Sequence, residues 1–284
     1  MKRNFLKAAA ASVFIALSSP ASALTFVLDF DTIGSSDIFG STTNAFNSTP
    51  FGFSGLNDTE IKNGVLQKVE NHFRQYPTVG LNPSSPLPVG QELDIDFVIG
   101  SIGNAPSNMD TEYYFMQIGT AVPANPGLFG QACLSCVRNA AGSGPNFGVT
   151  TGAVVGSIYT DAISSIAGLA ADNDQLFNLI AGTTSHEIAH ALSLEHAGAQ
   201  AANPGESAWG VMGSGATSMP NSQRVLDREF TYAKFGQLIG AVGLRDVQVT
   251  PNPNPVPLPA MGWALLAVCA GFGAYGRRST KKAA

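Results

Sequence analysis

Three of the chain's four histidines fall within eleven residues, His186-Glu187-Ile188-Ala189-His190-Ala191-Leu192-Ser193-Leu194-Glu195-His196. Imidazole nitrogens gathered this closely are suited to gripping a metal ion. Residues four apart share one helix face, so His186 and His190 can aim two rings at a common point. Glu187, beside the first ring, can reach a water on such a metal without being a ligand itself. His196 is the demanding member. At about 100° per residue a continuous helix would turn it roughly 120° away from His190, so it joins the pair only if the chain changes direction after Leu192. A single H-x-x-x-H arises on many helices as ordinary surface, but three of four histidines around a glutamate favour a metal site with Zn2+ as the natural occupant.

The elements that must position this cluster are legible in outline. Leu24 to Phe30 is rich in β-formers and predicts a strand at the start of the mature chain. Ile61, Val65, Leu66, Val69 and Phe73 recur at helical spacing within Asp58 to Tyr76, predicting an amphipathic helix with Asp58 as its N-cap and His72 on its surface. Leu93 to Ile99, Tyr113 to Ile118 and Gly152 to Tyr159 read as further strands, Gln175 to Leu192 as one or two helices carrying the motif, and Asn221 to Ile239 as a helix backing it. Strand, helix and several strands ahead of the motif helix make an α+β arrangement.

The motif resembles that of the metzincin zinc metalloproteases, H-E-x-x-H-x-x-G-x-x-H followed by a methionine in a tight turn beneath the metal. The matching positions are His186, Glu187, His190 and His196, with Gly210-Val211-Met212-Gly213-Ser214-Gly215 as the turn. The match covers about thirty residues, and it departs at Ser193, which stands where the family has glycine. That glycine is left-handed, a conformation that costs a residue with a Cβ roughly 1 to 2 kcal/mol. Ser214 occupies the place where some members carry a tyrosine ligand, so no tyrosine ligand is expected. The resemblance implies a catalytic domain with a mixed sheet, an active-site helix and a C-terminal helix. It also implies His186, His190 and His196 as zinc ligands, Glu187 as the base for a zinc-bound water, Met212 as structural support, and peptide-bond hydrolysis as the reaction. Asp172, Asp174 and Asp227 are acidic groups that could orient the histidines, though each is more often simply a cap or a solvated charge.

Both ends carry targeting features. Met1-Lys2-Arg3, an apolar run to Leu17 and Ala21-Ser22-Ala23 read as a secretory signal over residues 1–23. The functional domain is then 24–246, followed by a Pro-rich linker, 247–257, whose alternating prolines favour extended polyproline II. An apolar stretch at 258–276 is long enough to cross a bilayer, and Arg277, Arg278, Lys281 and Lys282 in the 277–284 tail would stay cytoplasmic. This end resembles the PEP-CTERM sorting signal of exported bacterial proteins, with Val256-Pro257-Leu258-Pro259 in place of the usual Val-Pro-Glu-Pro. The resemblance implies a Gram-negative source, export across the inner membrane, and anchoring there or release to the surface or matrix by a sorting enzyme.

Charge excludes one class of partner. Of the fifteen Lys and Arg, three lie in the signal and four in the tail, leaving eight in the domain against all twenty Asp and Glu, a balance of −12. Nucleic-acid backbones would be repelled; a protein or peptide substrate is the partner that the metzincin resemblance implies. Cys133-Leu134-Ser135-Cys136 suits a small extracellular disulfide better than a redox pair, since no thioredoxin-like βαβ pattern surrounds it; Cys269 falls inside the expected span. Two other readings stand beside the expected zinc endopeptidase. One is a gluzincin-like protease with Glu206 or Glu229 as a distant third ligand. The other is an inactive zinc-containing surface or matrix protein, for which Glu187 would have no use.

Overall fold

The structure is a computed structural model that describes residues 23–74, 90–105, 107, 112–122, 127–138, 149–199, 209–214 and 218–247. The chain divides into one unit ending at Asp246 and a second, Val247–Ala284, so the expected signal, sorting segment and basic tail lie outside the described residues. Among the described residues no helix is long and apolar enough to cross a membrane.

The first unit is built on a mixed sheet. Strand β1 (Leu24–Asp29) is buried along its whole length, as a strand covered on both faces must be. It pairs in parallel with β4 (Ile95–Gly100) on one side and β5 (Glu112–Val122) on the other. Strand β7 (Val154–Tyr159) runs parallel to β5, and β6 (Gly130–Ala132) closes the order β4-β1-β5-β7-β6 as an antiparallel edge. Strand β2 (Thr42–Asn44) pairs with the far end of β5, while β3 (Gln91–Leu93) and β8 (Leu244–Asp246) form a separate antiparallel pair.

Alternation along β1 sorts the core into two faces. Phe26 and Leu28 join the large cluster that receives the helices, whereas Val27 joins a small one with Phe115 and Val154. Helix α1 (Asp58–Arg74) buries Ile61 and presents Val65, Val69 and Phe73 to the large cluster, and the Phe73 ring lies 4.9 Å from Phe97 and 5.0 Å from Phe230. Its start differs from the expectation. The cap is Asn57, whose side chain accepts from the Glu60 N–H at 3.0 Å while the Glu60 carboxylate accepts from the Asn57 N–H at 2.8 Å, a reciprocal capping box. His72 also departs from its expected surface position. It is buried, and its Nδ1 hydrogen-bonds Ser185 Oγ at 2.8 Å, because the helix that covers α1 brings a hydroxyl to meet it.

That covering helix, α3 (Asn173–Ala191), follows a short α2 (Thr160–Ser164) and is one helix rather than two. Asp172 caps it, accepting from Gln175 N–H at 2.9 Å. The single helix expected over Asn221 to Ile239 is instead α4 (Asn221–Arg224) and α5 (Tyr232–Val242). Thr231 interrupts it by capping α5 through Lys234 N–H, and the Glu229 carbonyl between the two helices accepts from Val211 N–H at 2.9 Å.

Candidate metal centre

Helix α3 brings His186 and His190 together one turn apart, with ring centroids 4.6 Å from each other and Nε2 atoms at 3.0 Å. Each ring is oriented by a backbone carbonyl on its other nitrogen. His186 Nδ1–H donates to Val211 O at 2.8 Å and His190 Nδ1–H donates to Leu194 O at 2.6 Å. A carbonyl only accepts, so both Nδ1 atoms carry the proton and both Nε2 atoms are bare lone pairs. Two lone pairs at 3.0 Å repel each other unless a cation lies between them. Tetrahedral zinc with bonds of about 2.0–2.1 Å would space such nitrogens at roughly 3.3 Å, so the observed pair needs little adjustment.

His196 completes the group. Its ring centroid lies 5.1 Å from that of His186 and 4.8 Å from that of His190, and one ligand atom from each of the three histidines falls within 4.8 Å of the others. The group can therefore hold a metal ion. Burial holds all three rings below the usual histidine range: His186 well below it, with His190 adding to the effect; His190 down to about 4; and His196 more modestly, helped by Lys234. At neutral pH the three are uncharged donors, the form a metal requires.

The change of direction that delivers His196 is a complete helix-ending motif. Ser193 adopts φ +77°, its N–H donates to His190 O at 2.9 Å, and Leu194 N–H reaches back to Ala189 O at 2.9 Å, the two bonds of a Schellman cap. The serine is held there by its own hydroxyl, which donates to Arg138 O at 2.7 Å. From that turn the chain meets the 210–213 turn. Ala197 N–H donates to Met212 O at 2.9 Å, and Gly213 N–H closes the turn onto Gly210 O at 2.9 Å. This turn thus supports His186 through the Val211 carbonyl and the His196 segment through the Met212 carbonyl, with the Met212 side chain buried beneath.

Cys133 and Cys136 are joined in a disulfide. The loop they close and the residue after it cap the end of α3: Ser135 N–H donates to His190 O at 2.9 Å and Val137 N–H to Ala191 O at 3.1 Å.

Glu187 faces a cavity of about 650 Å³ shared with the three histidines and with β6. Its carboxyl is buried, which pushes its pKa up to about 8 against the opposing pull of Arg224. The edge strand passes so close that a Cβ placed on Gly130 would come within 2.9 Å of Glu187 Cγ. Two arginines that sequence reasoning did not single out, Arg224 and Arg228, line the same cavity. Neither belongs to a recognisable motif, and only the packing of α4 and the segment after it against α3 brings them in.

The other acidic candidates stand elsewhere. Asp172 is the α3 cap, Asp174 pairs with Lys68 at 2.9 Å, and Asp227 is exposed. The histidine orienters identified are carbonyls rather than carboxylates. Glu229 is not part of the metal-capable group, and Glu206 lies outside the described residues. Compared with known proteins, the chain matches no family model and no curated sequence.

Proposed function

We propose that this protein is an exported zinc-dependent endopeptidase of metzincin type, with His186, His190 and His196 as ligands and Glu187 as general base. The observation that carries the reading is the arrival of His196 beside the two helical imidazoles, with a buried carboxylate in the same cavity. A site serving structure alone has no use for that carboxylate. Three neutral imidazoles suit Zn2+, which in such a setting lowers the pKa of water toward about 7 and polarises a carbonyl.

The remaining work falls to residues of the chain. Glu187 accepts a proton from the attacking water and returns it to the departing amine. Its raised pKa suits it to the second step, and a nearby cation would restore the carboxylate needed for the first. Strand β6 ends the sheet order and lines the cavity, so its outer edge is suited to pairing with an extended peptide. The Val211 and Leu194 carbonyls hold two rings in the tautomer that keeps Nε2 free. At the termini, the signal-like and sorting-like sequences support export and inner-membrane anchoring or release, outside which the acidic domain meets protein substrates.

The full-length protein loaded with Zn2+ should cleave casein, and a chelator should stop it. Glu187→Gln should abolish cleavage while one zinc per chain remains bound, whereas His196→Ala should lose the metal. Zinc-loaded protein inert toward casein and toward a random peptide library would overturn the reading.

A further inference from the structure

The domain's few cations are not scattered evenly. Of its eight Lys and Arg, five are paired with carboxylates: Lys62 with Asp31 at 2.6 Å, Lys68 with Asp174 at 2.9 Å, Arg138 with Glu112, Arg74 with Glu70 at 3.5 Å, and Arg245 with Asp96 at 2.6 Å. Arg224, Arg228 and Lys234 make no ion pair among the described residues, and all three lie around the candidate metal centre. Lys234 acts electrostatically on His190 and His196, and the two arginines line the cavity.

Arg228 is the most telling. It is 2 % exposed, and its Nε and Nη2 have no hydrogen-bond partner among the described residues. Burying a guanidinium with open donors is costly unless an acceptor arrives. The seat for it is built: on α3, one turn before His186, Gly182 leaves room where a Cβ would lie 1.7 Å from Nη2. A mid-helix glycine costs about 1 kcal/mol relative to alanine, so the helix gives up stability to admit this group. Arg224 is held next to it, its guanidinium 4.8 Å from the centre of the Phe129 ring, and its Nε too has no partner among the described residues. Against these, Glu187 is the one carboxylate lining the cavity among the described residues.

We infer that Arg228 and Arg224 form an anion-binding subsite beside the metal centre that receives the carboxylate of an Asp or Glu side chain adjoining the bond to be cleaved. The inference rests on the protease reading for its location in a substrate groove. A guanidinium supplies paired donors to a carboxylate, so the substrate would provide the acceptor that the fold withholds. An acidic domain would otherwise repel acidic substrates, and this lobe gives them one place to enter.

The test uses the hexapeptides acetyl-AAAEAA-amide and acetyl-AAAQAA-amide, isosteric apart from charge, with the full-length zinc-loaded protein. Cleavage is followed by mass spectrometry, and binding by calorimetry on the Glu187→Gln protein, which should hold peptide without cutting it. The glutamate peptide should show at least about tenfold higher kcat/KM and about tenfold tighter binding. Arg224→Gln should shrink both ratios toward one. Because Arg228 is buried and its removal can impair folding, Arg228→Lys serves as the second variant and should also reduce the ratios, a point charge replacing the fork. Cleavage of both peptides at equal rates overturns the subsite and leaves the protease reading standing. Casein cut but neither charge-dependent cleavage nor charge-dependent binding of the hexapeptides overturns the subsite alone. Charge-dependent binding lost in Arg224→Gln, with casein and the random peptide library also uncut, keeps the anion-binding site and overturns the protease reading.

Discussion

Ser193 offers a test of the local physics on which the site depends, because two substitutions there remove different things. Ser193→Gly removes the left-handed strain of a residue at φ +77°, a relief of about 1–2 kcal/mol. It also removes the 2.7 Å bond to Arg138 O, a loss of about 1 kcal/mol, and frees the unfolded chain, a further loss of about 0.4–1 kcal/mol. These nearly cancel, so the glycine variant should match the wild type to within about 1 kcal/mol. Ser193→Ala keeps the Cβ and its strain but leaves the Arg138 carbonyl without its hydroxyl donor, and should destabilise by about 1–2 kcal/mol. The expected order is wild type and glycine together, alanine below. Guanidinium unfolding at saturating zinc, read by circular dichroism, measures it through the transition midpoint at unchanged slope. Zinc affinity should follow the same order, since the Ser193 turn delivers His196. Alanine equal to wild type, with glycine more stable than both by 2 kcal/mol or more, would mean that the hydroxyl contributes nothing and that the turn carries strain alone.

Two further outcomes follow from groups packed around α3. His72, lowered to about 3 by burial and then by Arg228 and Lys68, stays neutral in the fold while the unfolded chain takes up its proton below about 6.5. The stability that His72 contributes is therefore fully present above pH 6.5 and falls by about 1.4 kcal/mol per pH unit as the pH drops toward 3. His72→Gln should lessen the loss between pH 6 and 4 by about that slope in urea unfolding, and an unchanged slope would place the protonation elsewhere. Opening the Cys133–Cys136 disulfide, by Cys133→Ala with Cys136→Ala, releases a four-residue loop worth about 2 kcal/mol by chain entropy. It should also weaken zinc binding, because Ser135 and Val137 cap the last carbonyls of α3; zinc titration with unaltered affinity would show that the loop merely sits beside the site.

The sequence makes the donors of the site legible and leaves their supports hidden. His186, His190 and His196 stand out because metal ligands must be of few types at fixed spacing, and Glu187 because its place in the motif is local. The long helix α1 is visible since Ile61, Val65, Val69 and Phe73 form one continuous stripe. What escapes is whatever depends on pairs distant along the chain. The α1 cap is the exception, since Glu60 three residues after Asn57 is a local signal that sets it apart from Asp58. His72 looks like a polar break in the apolar face until Ser185 arrives from α3, 113 residues away. Strand β6, three residues long, carries no periodicity and is fixed by its neighbour β7. The break between α4 and α5 is set by Thr231 and by the pairing of Val211 with Glu229, neither of which alters hydrophobic spacing. Arg228 is indistinguishable from any exposed arginine until the helix that seats it is in place.

These long-range supports explain how the turn after α3 accommodates a serine in the left-handed conformation. Glycine is favoured in such a turn because nothing else enters the left-handed region without cost. Here Arg138 lies just beyond the disulfide loop, and its carbonyl supplies an acceptor for the Ser193 hydroxyl that glycine would leave unused. The same loop and the residue after it donate to His190 O and Ala191 O, so one short segment both stabilises the unusual residue and ends the helix that carries two ligands. On the other side, the Val211 and Met212 carbonyls tie the first ligand and the segment after the last to a single turn. Moving the three rings apart as a group therefore means breaking hydrogen bonds both in the 210–213 turn and around the Ser193 turn. The imidazole lone pairs are thus held close together by the fold, and a cation binding among them would relieve a repulsion that packing has already imposed.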